Sequence, residues 1–323
     1  MTATNNPGFY PFYDPYRGGE LLGYSGKLAI SVSVGTFYLL LQYFSLADKT
    51  VLFTQYCWVL AAIISTSLFS LYVATDIFRR SLTMINTLEG RHAASNQVVA
   101  DWLNNKWYFL SGLGFATTSI TTGHFLGIPL EFYETPYSLF AMYMGLFLAG
   151  FTSGMGLLSI VAVIILYLKF VPNLQYSLDP HNPDGFGGIK KLGDSLWFFG
   201  GLAAAVGILV SIHMFGVSWT NTSSAYVQLL FLMWIAMPYI VAISIVLIPG
   251  LAVRRQVAYY KTYKSQQLKQ EKIETYSSYK QFDSNEDDVI IAEKKELHKK
   301  LNRIQNDLDK LEEMRNSHID VKD

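Results

Sequence analysis

Six long apolar segments constrain this chain more than any other feature of its 323 residues. A helix of roughly 20 apolar residues crosses the hydrocarbon core of a bilayer, and in lipid a helix satisfies its own backbone hydrogen bonds. The segments therefore predict an all-α polytopic membrane protein with six transmembrane helices, of which the third is diluted by Ser and Thr. They lie at about 28–46, 51–75, 107–128, 138–170, 194–216 and 223–250.

Charge divides the chain into an apolar body and a charged tail. Ten of the 25 Lys and Arg residues precede residue 251 and the other 15 follow it, although the net charge is zero. This asymmetry helps to predict the domain organisation. The expected parts are an aromatic arm rich in Pro and Gly at 1–27, the six-span domain at 28–250, a helical linker at 251–284 and a coiled-coil tail at 285–323.

The basic residues of the loops predict the orientation of the spans. Lys and Arg are concentrated in alternate loops, as the positive-inside rule requires of cytoplasmic loops. Six spans keep this alternation, whereas omitting the third would break it. Both termini are therefore expected in the cytoplasm, with the protein in the cell membrane. The basic residues on that side include Arg79, Arg80, Arg91, Lys169, Lys190, Lys191, Arg254, Arg255, Lys261 and Lys264.

Two features predict long helices outside the bilayer. The fourth segment has about 33 residues, which make a helix of roughly 50 Å against a hydrocarbon core of about 30 Å. Ile290, Leu297, Ile304 and Leu311 then recur every seven residues. That period is typical of a coiled coil, which here would join copies of the chain. The alternative is a single amphipathic helix that packs on its own domain.

Residues 178–194 form the most polar and glycine-rich stretch between the first and last apolar segments. Successive glycine amides form concavities that bind anions, and two lysines would reinforce them. We expect a cytoplasmic anion there, such as phosphate, a lipid headgroup or a nucleotide. A rigid connector shaped by Pro and Gly and a divalent metal site at Asp179, His181 and Asp184 are alternatives. The candidate anion-binding residues are Asp179, His181, Asp184, Gly185, Gly187, Gly188, Lys190 and Lys191.

Part of this loop resembles a known signature. Residues 181–189 read His-Asn-Pro-Asp-Gly-Phe-Gly-Gly-Ile. This is similar to the His-Pro-Asp-Gly-x-Gly-Gly-Leu signature of poorly characterised multi-span membrane proteins of prokaryotes, with Asn182 inserted after the His. The resemblance covers about ten residues. It implies a membrane-embedded fold and no particular activity.

The third segment carries hydroxyl side chains that are costly against lipid unless they bond back along the helix or face protein or water. A pore-lining helix has this composition, and so has a helix buried in a bundle, where small residues allow close packing. The candidate pore-lining residues are Thr117, Thr118, Thr121 and Thr122.

His124 and His213 each lie near one end of an apolar segment. Two imidazoles at equal depth could bind a b-type haem or a metal ion, although an interfacial histidine that is simply hydrogen-bonded is the commoner case. No cofactor is expected, and haem b between His124 and His213 is the alternative.

Together these features predict a homo-oligomeric membrane channel, or a channel-like sensor, gated through its cytoplasmic helices and loop. Acidic side chains are almost absent from the apolar segments. This argues against proton-coupled carriers that use membrane carboxylates and against most intramembrane hydrolases. The expected partners are the lipid bilayer, further copies of the chain and the anionic ligand, with no nucleic acid. The alternatives are a haem redox protein and a non-conducting scaffold or signalling component.

Overall fold

The computed structural model describes residues 23–89, 105–170, 178–183, 187–188, 190–281 and 288–314. These residues form helices and connecting turns, with no strand among them, which confirms the all-α prediction. Most of the predicted arm at 1–27 lies outside the described residues. The helices are α1 (Tyr24–Ser45), α2 (Val51–Thr54), α3 (Cys57–Glu89), α4 (Asn105–Leu126), a 3₁₀ turn (Leu130–Phe132), α5 (Pro136–Phe170), α6 (Lys190–Gly216), α7 (Ala225–Gln281) and α8 (Asp288–Glu313).

Five of the described helices are long and apolar enough to cross a membrane: α1, α3, α5, α6 and α7. The apolar parts of α3, α5 and α6 are Cys57–Ala74, Pro136–Ile165 and Leu196–Gly216. The third predicted span corresponds to α4, which has 22 residues and is not one of the five, because its Ser and Thr residues lower its hydropathy. A membrane protein is therefore indicated by composition and length, and the sixth span stays a prediction.

The chain divides into two compact units. The first contains the described residues up to 86, those from 105 to 166 and those from 196 to 247. Within it α3 is the central helix, since 67% of its apolar part is buried, compared with 11% to 44% for the other four apolar helices. The largest fully buried side chains around it include Tyr38, Leu60, Ile64 and Met142. The core of this unit is thus built on α3.

Small residues bring α4 and α5 into backbone contact. A Cβ added to Gly154 would lie 2.5 Å from the carbonyl oxygen of Ser111, and one added to Gly150 would lie 2.8 Å from Cα of Ala116. The Ser111 hydroxyl uses this proximity to donate a 2.7 Å hydrogen bond to the carbonyl of Gly154. Van der Waals packing at small residues is the usual means of helix association in lipid, so α4 belongs to the bundle.

The loops at one end of this unit are tied to one another. Asn221 and Thr220 donate backbone hydrogen bonds to the carbonyls of Leu126 (2.9 Å) and Gly127 (3.0 Å). The phenol of Tyr133 lies 3.6 Å from the thiol of Cys57, and burial raises the pKa of this Tyr133 phenol. These contacts close the bundle over the ends of α4 and α6.

The second unit contains the described parts of 87–90, 167–195 and 248–323. Here the C-terminal part of α7 and α8 form an antiparallel pair. Lys300 lies 3.1 Å from Glu271, and Lys272 donates a 2.7 Å hydrogen bond to Gln305. Nearer the end of α8, Lys261 donates to the carbonyl of Met314 at 2.7 Å.

The C-terminal half of the heptad pattern of α8 lies on the inner side of this pair, whereas Leu297 is only partly buried. Ile304, Leu308, Leu311 and Met314 are buried, with exposed fractions between 2% and 7%. The structure therefore has the alternative arrangement, an amphipathic helix packed on its own chain, for the described residues of the predicted coiled-coil tail. Self-association through this segment stays a prediction. It would require the antiparallel α7–α8 pair (the hairpin) to open, or to pack against another copy with its outer face.

The α4–α5 contact can be tested with Gly154→Ala. The new methyl group meets the Ser111 carbonyl, so we expect a loss of about 1–3 kcal/mol of stability, the usual cost of overpacking. Thermal unfolding of the purified protein in detergent, followed by tryptophan fluorescence, measures it. The control is Gly114→Ala on α4, where a Cβ meets nothing within 4 Å. Equal melting temperatures for the two variants would contradict the close contact.

Candidate functional site

A half-open cavity of about 110 Å³ lies in the first unit, lined by α3, α5, α6 and α7, with Phe115 from α4. Most of its lining is apolar, and Ser67, Ser70, Thr152 and Ser153 supply the hydroxyl groups. The hydroxyls of Ser67 and Ser153 are 3.0 Å apart and share a hydrogen bond. The buried hydroxyl of Ser70 has no hydrogen-bond partner among the described residues. The lining therefore includes one residue, Ser70, whose hydroxyl is buried and unsatisfied.

A second cavity, of about 60 Å³, lies beside the first. Its polar lining comes from four helices and one loop, and none of the described lining residues is an acid, a lysine or an arginine. The cavity therefore combines hydroxyl, imidazole and indole groups without a formal charge. The residues that carry these groups are Ser119, Thr122, Ser153, His213, Trp219 and Trp234.

His213 is the most unusual of these side chains. It is 4% exposed, and neither ring nitrogen makes a hydrogen bond to any described residue. The backbone carbonyl of Tyr56 is close enough to the imidazole for a weak hydrogen-bonding interaction, although the contact lacks the geometry of a well-formed hydrogen bond. The indole of Trp219 packs edge-on at 6.1 Å between ring centroids, but its N–H donates to the carbonyl of Met214 at 2.9 Å. Both imidazole nitrogens therefore remain unsatisfied.

The local backbone explains how the imidazole is enclosed. Tyr56 adopts a left-handed conformation with φ of 53°, which is uncommon for a residue other than glycine. Its ring lies against Gly216, where any Cβ would collide with the ring atoms. The last turn of α6 is therefore covered directly after His213, which keeps the imidazole away from the surface.

Trp234 stands at the junction of the two cavities, whose linings share it with Ser153 and Val210. Its indole N–H donates a 2.7 Å hydrogen bond to the hydroxyl of Thr122. Its ring packs edge-on against Phe115 at 5.4 Å between centroids. One hydrogen bond and one ring contact are therefore seen for this shared side chain among the described residues.

The two cavities together extend along the bundle. On α6 their linings run from Phe199 to Met214. Fifteen residue steps of a helix with a rise of 1.5 Å correspond to about 22 Å. The hydrocarbon core of a bilayer is about 30 Å thick. The residues that line the two cavities therefore extend over about 22 Å of α6.

The four threonines predicted to line a pore are divided between two environments. Thr122 is buried and lines the second cavity. Thr117, Thr118 and Thr121 are exposed, and each donates a 2.8 Å hydrogen bond to the carbonyl four residues before it. Together with Thr122 they border an open groove of about 640 Å³ on the surface of one chain. Their hydroxyls are thus satisfied within α4.

His124 and His213 do not meet in one cavity. His124 is exposed, and its Nδ1 atom lies 3.4 Å from the hydroxyl of Tyr143. His213 is buried, and His124 is not one of the described residues that line its cavity. Haem bound between these histidines stays a prediction, for which the visible absorption spectrum of the purified protein is the test.

The polar loop rests on the helical pair of the second unit. The hydroxyl of Tyr260 donates a 2.8 Å hydrogen bond to the carbonyl of Leu178. The Nε2 atom of His181 lies 3.2 Å from a carboxylate oxygen of Asp307. Gly187 has φ of +70°, and a Cβ there would lie 3.0 Å from the sulfur of Met314. These contacts are those of a packed connector.

Part of the predicted anion site lies outside the described residues. Asp184 and Gly185 are not described, and neither is the side chain of Lys191. Asp179, His181, Gly187, Gly188 and Lys190 belong to the described part, where Asp179 accepts a 3.0 Å hydrogen bond from the backbone of His181. Anion binding at this loop stays a prediction.

No family model, curated protein or solved structure matches this chain. The geometry of the cavities is therefore the guide to function. Sequence inspection identified Thr122 and His213 as candidates. It missed Ser67, Ser70 and Ser153, as well as Trp234. The available signal was the presence of isolated hydroxyl and indole groups within otherwise apolar helices.

The contact between Tyr260 and the loop can be tested with Tyr260→Phe. This variant leaves the carbonyl of Leu178 without its donor, at a cost of about 1 kcal/mol, so we expect roughly fivefold faster amide exchange in the loop. Hydrogen exchange of the full-length protein, read at residues 178–183, measures it. Tyr259→Phe is the matched control, because Tyr259 is 59% exposed. Unchanged exchange in Tyr260→Phe would contradict an anchoring role.

Proposed function

We propose that this protein is a six-span integral membrane channel, or channel-like sensor, whose route for solute follows the two cavities within each chain. The observation that carries the proposal is their succession along about 22 Å of a helical bundle, with Ser153, Val210 and Trp234 common to both linings. A fold that only needed stability would fill such space with side chains. Two adjoining cavities with unsatisfied polar atoms favour passage or binding of a solute.

The packing of α4 supports six spans rather than five. Ala116, Ser119 and Thr122 are buried in the first unit, and Gly150 and Gly154 of α5 pack directly against this helix. The exposed threonines bond back to helix carbonyls, which lowers their cost in lipid. With α4 in the bilayer, the distribution of Lys and Arg favours cytoplasmic termini in the cell membrane.

Gating in this proposal uses the continuity of α7. This helix has 57 residues and carries Trp234, between the cavities, as well as Tyr260 and Lys261, which contact the loop and α8. A ligand or partner would bind at the polar loop and at the α7–α8 pair, the cytoplasmic parts through which the channel is expected to be gated. Assembly of several copies remains part of the proposal, with the outer face of the hairpin as the surface available for it.

A second route has support from one observation. Thr117, Thr118 and Thr121 lie exposed along a groove of α4, and in a ring of copies this face could line a common axis. In that case the conducting surface would lie between chains rather than within each chain.

Flux measurements on proteoliposomes test the route within the chain. We expect Gly156→Leu to lower the permeability to whichever small solutes or ions pass by about tenfold or more, because its side chain enters the first cavity, and such a block corresponds to about 1.4 kcal/mol. A Cβ at Gly156 meets nothing within 4 Å, so the chain should still fold.

The matched control is Gly201→Leu, since Gly201 is exposed and its Cβ also meets nothing within 4 Å. Thr121→Leu distinguishes the axial route, which it should block while leaving the route within the chain unchanged. The proposal fails if the wild-type protein passes no member of a panel of ions and small neutral solutes. Conduction that Gly156→Leu leaves intact would move the route out of the cavities.

A further inference from the structure

The second cavity indicates which solutes the protein takes. We propose that it is a binding site for a small uncharged solute that both donates and accepts hydrogen bonds, with His213 as its principal contact. The passage of this solute through the membrane rests on the proposed function, whereas its binding does not.

The described residues that line this site carry no formal charge, which disfavours the binding of ions. None of the described residues that line either cavity is an acid, a lysine or an arginine. An ion that entered would lose its hydration without gaining a counter-charge, which is strongly unfavourable inside a bundle. A weak acid or base would therefore enter in its neutral form.

The imidazole of His213 selects for hydrogen bonding. A neutral imidazole has one N–H donor and one nitrogen acceptor, and here both nitrogens are buried without a partner among the described residues. An apolar guest would leave both unsatisfied, whereas a solute with a donor and an acceptor would satisfy at least one of them. The hydroxyls of Ser119 and Thr122 in the same lining add further contacts.

The volume limits the size of the solute. A cavity of about 60 Å³ has room for roughly four to six water-sized molecules, at 10–15 Å³ for each. One solute of a few non-hydrogen atoms occupies the same space. Formamide has a suitable size, and formate and xenon provide a charged and an apolar comparison.

Trp234 controls the step to the first cavity. Its indole N–H donates a 2.7 Å hydrogen bond to the hydroxyl oxygen of Thr122. A solute with a hydrogen-bond donor can take the place of the indole at this oxygen when the Trp234 side chain moves aside. The unsatisfied hydroxyl of Ser70 then offers the next polar contact, in the lining of the first cavity. The hydrogen-bonding groups thus form a sequence that an apolar solute cannot use.

Binding is tested on the full chain in nanodiscs labelled with ¹³Cε1-histidine. The chain has six histidines, and the His213 signal is the one that persists when the other five are replaced by Gln. We expect formamide to shift this signal saturably, and formate and xenon to leave it in place. An unshifted signal in formamide, or an equal shift by formate, would overturn the proposal, and neither result depends on the folding of a His213 variant.

Passage is tested in proteoliposomes by stopped-flow light scattering. After the rate of protein-free liposomes is subtracted, we expect formamide to permeate at least about tenfold faster than formate. We expect His213→Leu to reduce the formamide rate about tenfold, the size expected when one hydrogen bond to the solute is lost. His213→Gln, which keeps a donor and an acceptor, should restore most of the rate.

The two arms separate the binding site from the channel. A formamide shift at His213 without any solute flux would retain the site and reject the channel. Flux that Gly156→Leu blocks, together with an unshifted His213 signal and full activity in His213→Leu, would retain the channel and reject the site.

Discussion

The need to satisfy hydrogen bonds without water shapes the first unit of this protein. Backbone groups meet the requirement by forming helices, and the exposed threonines of α4 meet it by donating to carbonyls four residues earlier. Ser111 does so by donating across to α5. The buried side chains that fail to meet it, His213 and Ser70, line the two cavities. Among the described residues these exceptions coincide with the two cavities, and this coincidence is the basis of the proposed solute route.

Helix positions could be predicted from the sequence because apolar runs and helical periodicity depend on local composition. The same reasoning could not find the cavities, because a cavity depends on which faces of several helices meet. Thr118 and Thr122 lie four residues apart on α4, yet Thr118 is exposed and Thr122 is buried. Both residues are threonines, so their difference in exposure comes from the packing of α5 and α7 around α4 and not from residue type.

The heptad pattern of α8 shows a related ambiguity. Buried Ile304, Leu308 and Leu311 form a seam that would serve equally well against a second copy or against the same chain. The partner in this structure is the C-terminal part of α7, with Lys272 and Gln305 in register. The heptad period alone predicts that the apolar seam packs against another helix, but it does not specify whether that helix belongs to the same chain or to a second copy. The length of α7, which extends well beyond its apolar part, is what supplies a partner within the chain.

Two glycines on α5 show that one face of this helix packs closely against α4 while another face borders the first cavity. Gly154 lies against α4 so closely that a methyl group would meet the carbonyl of Ser111, whereas a Cβ at Gly156 meets nothing within 4 Å and this residue lines the first cavity. Two residues turn a helix by about 200°, so the two positions face nearly opposite directions. One face of α5 therefore supports the bundle at its closest contact, and the other leaves room at the cavity. A larger residue at Gly154 would separate α4 from α5, while one at Gly156 would fill the cavity without moving either helix.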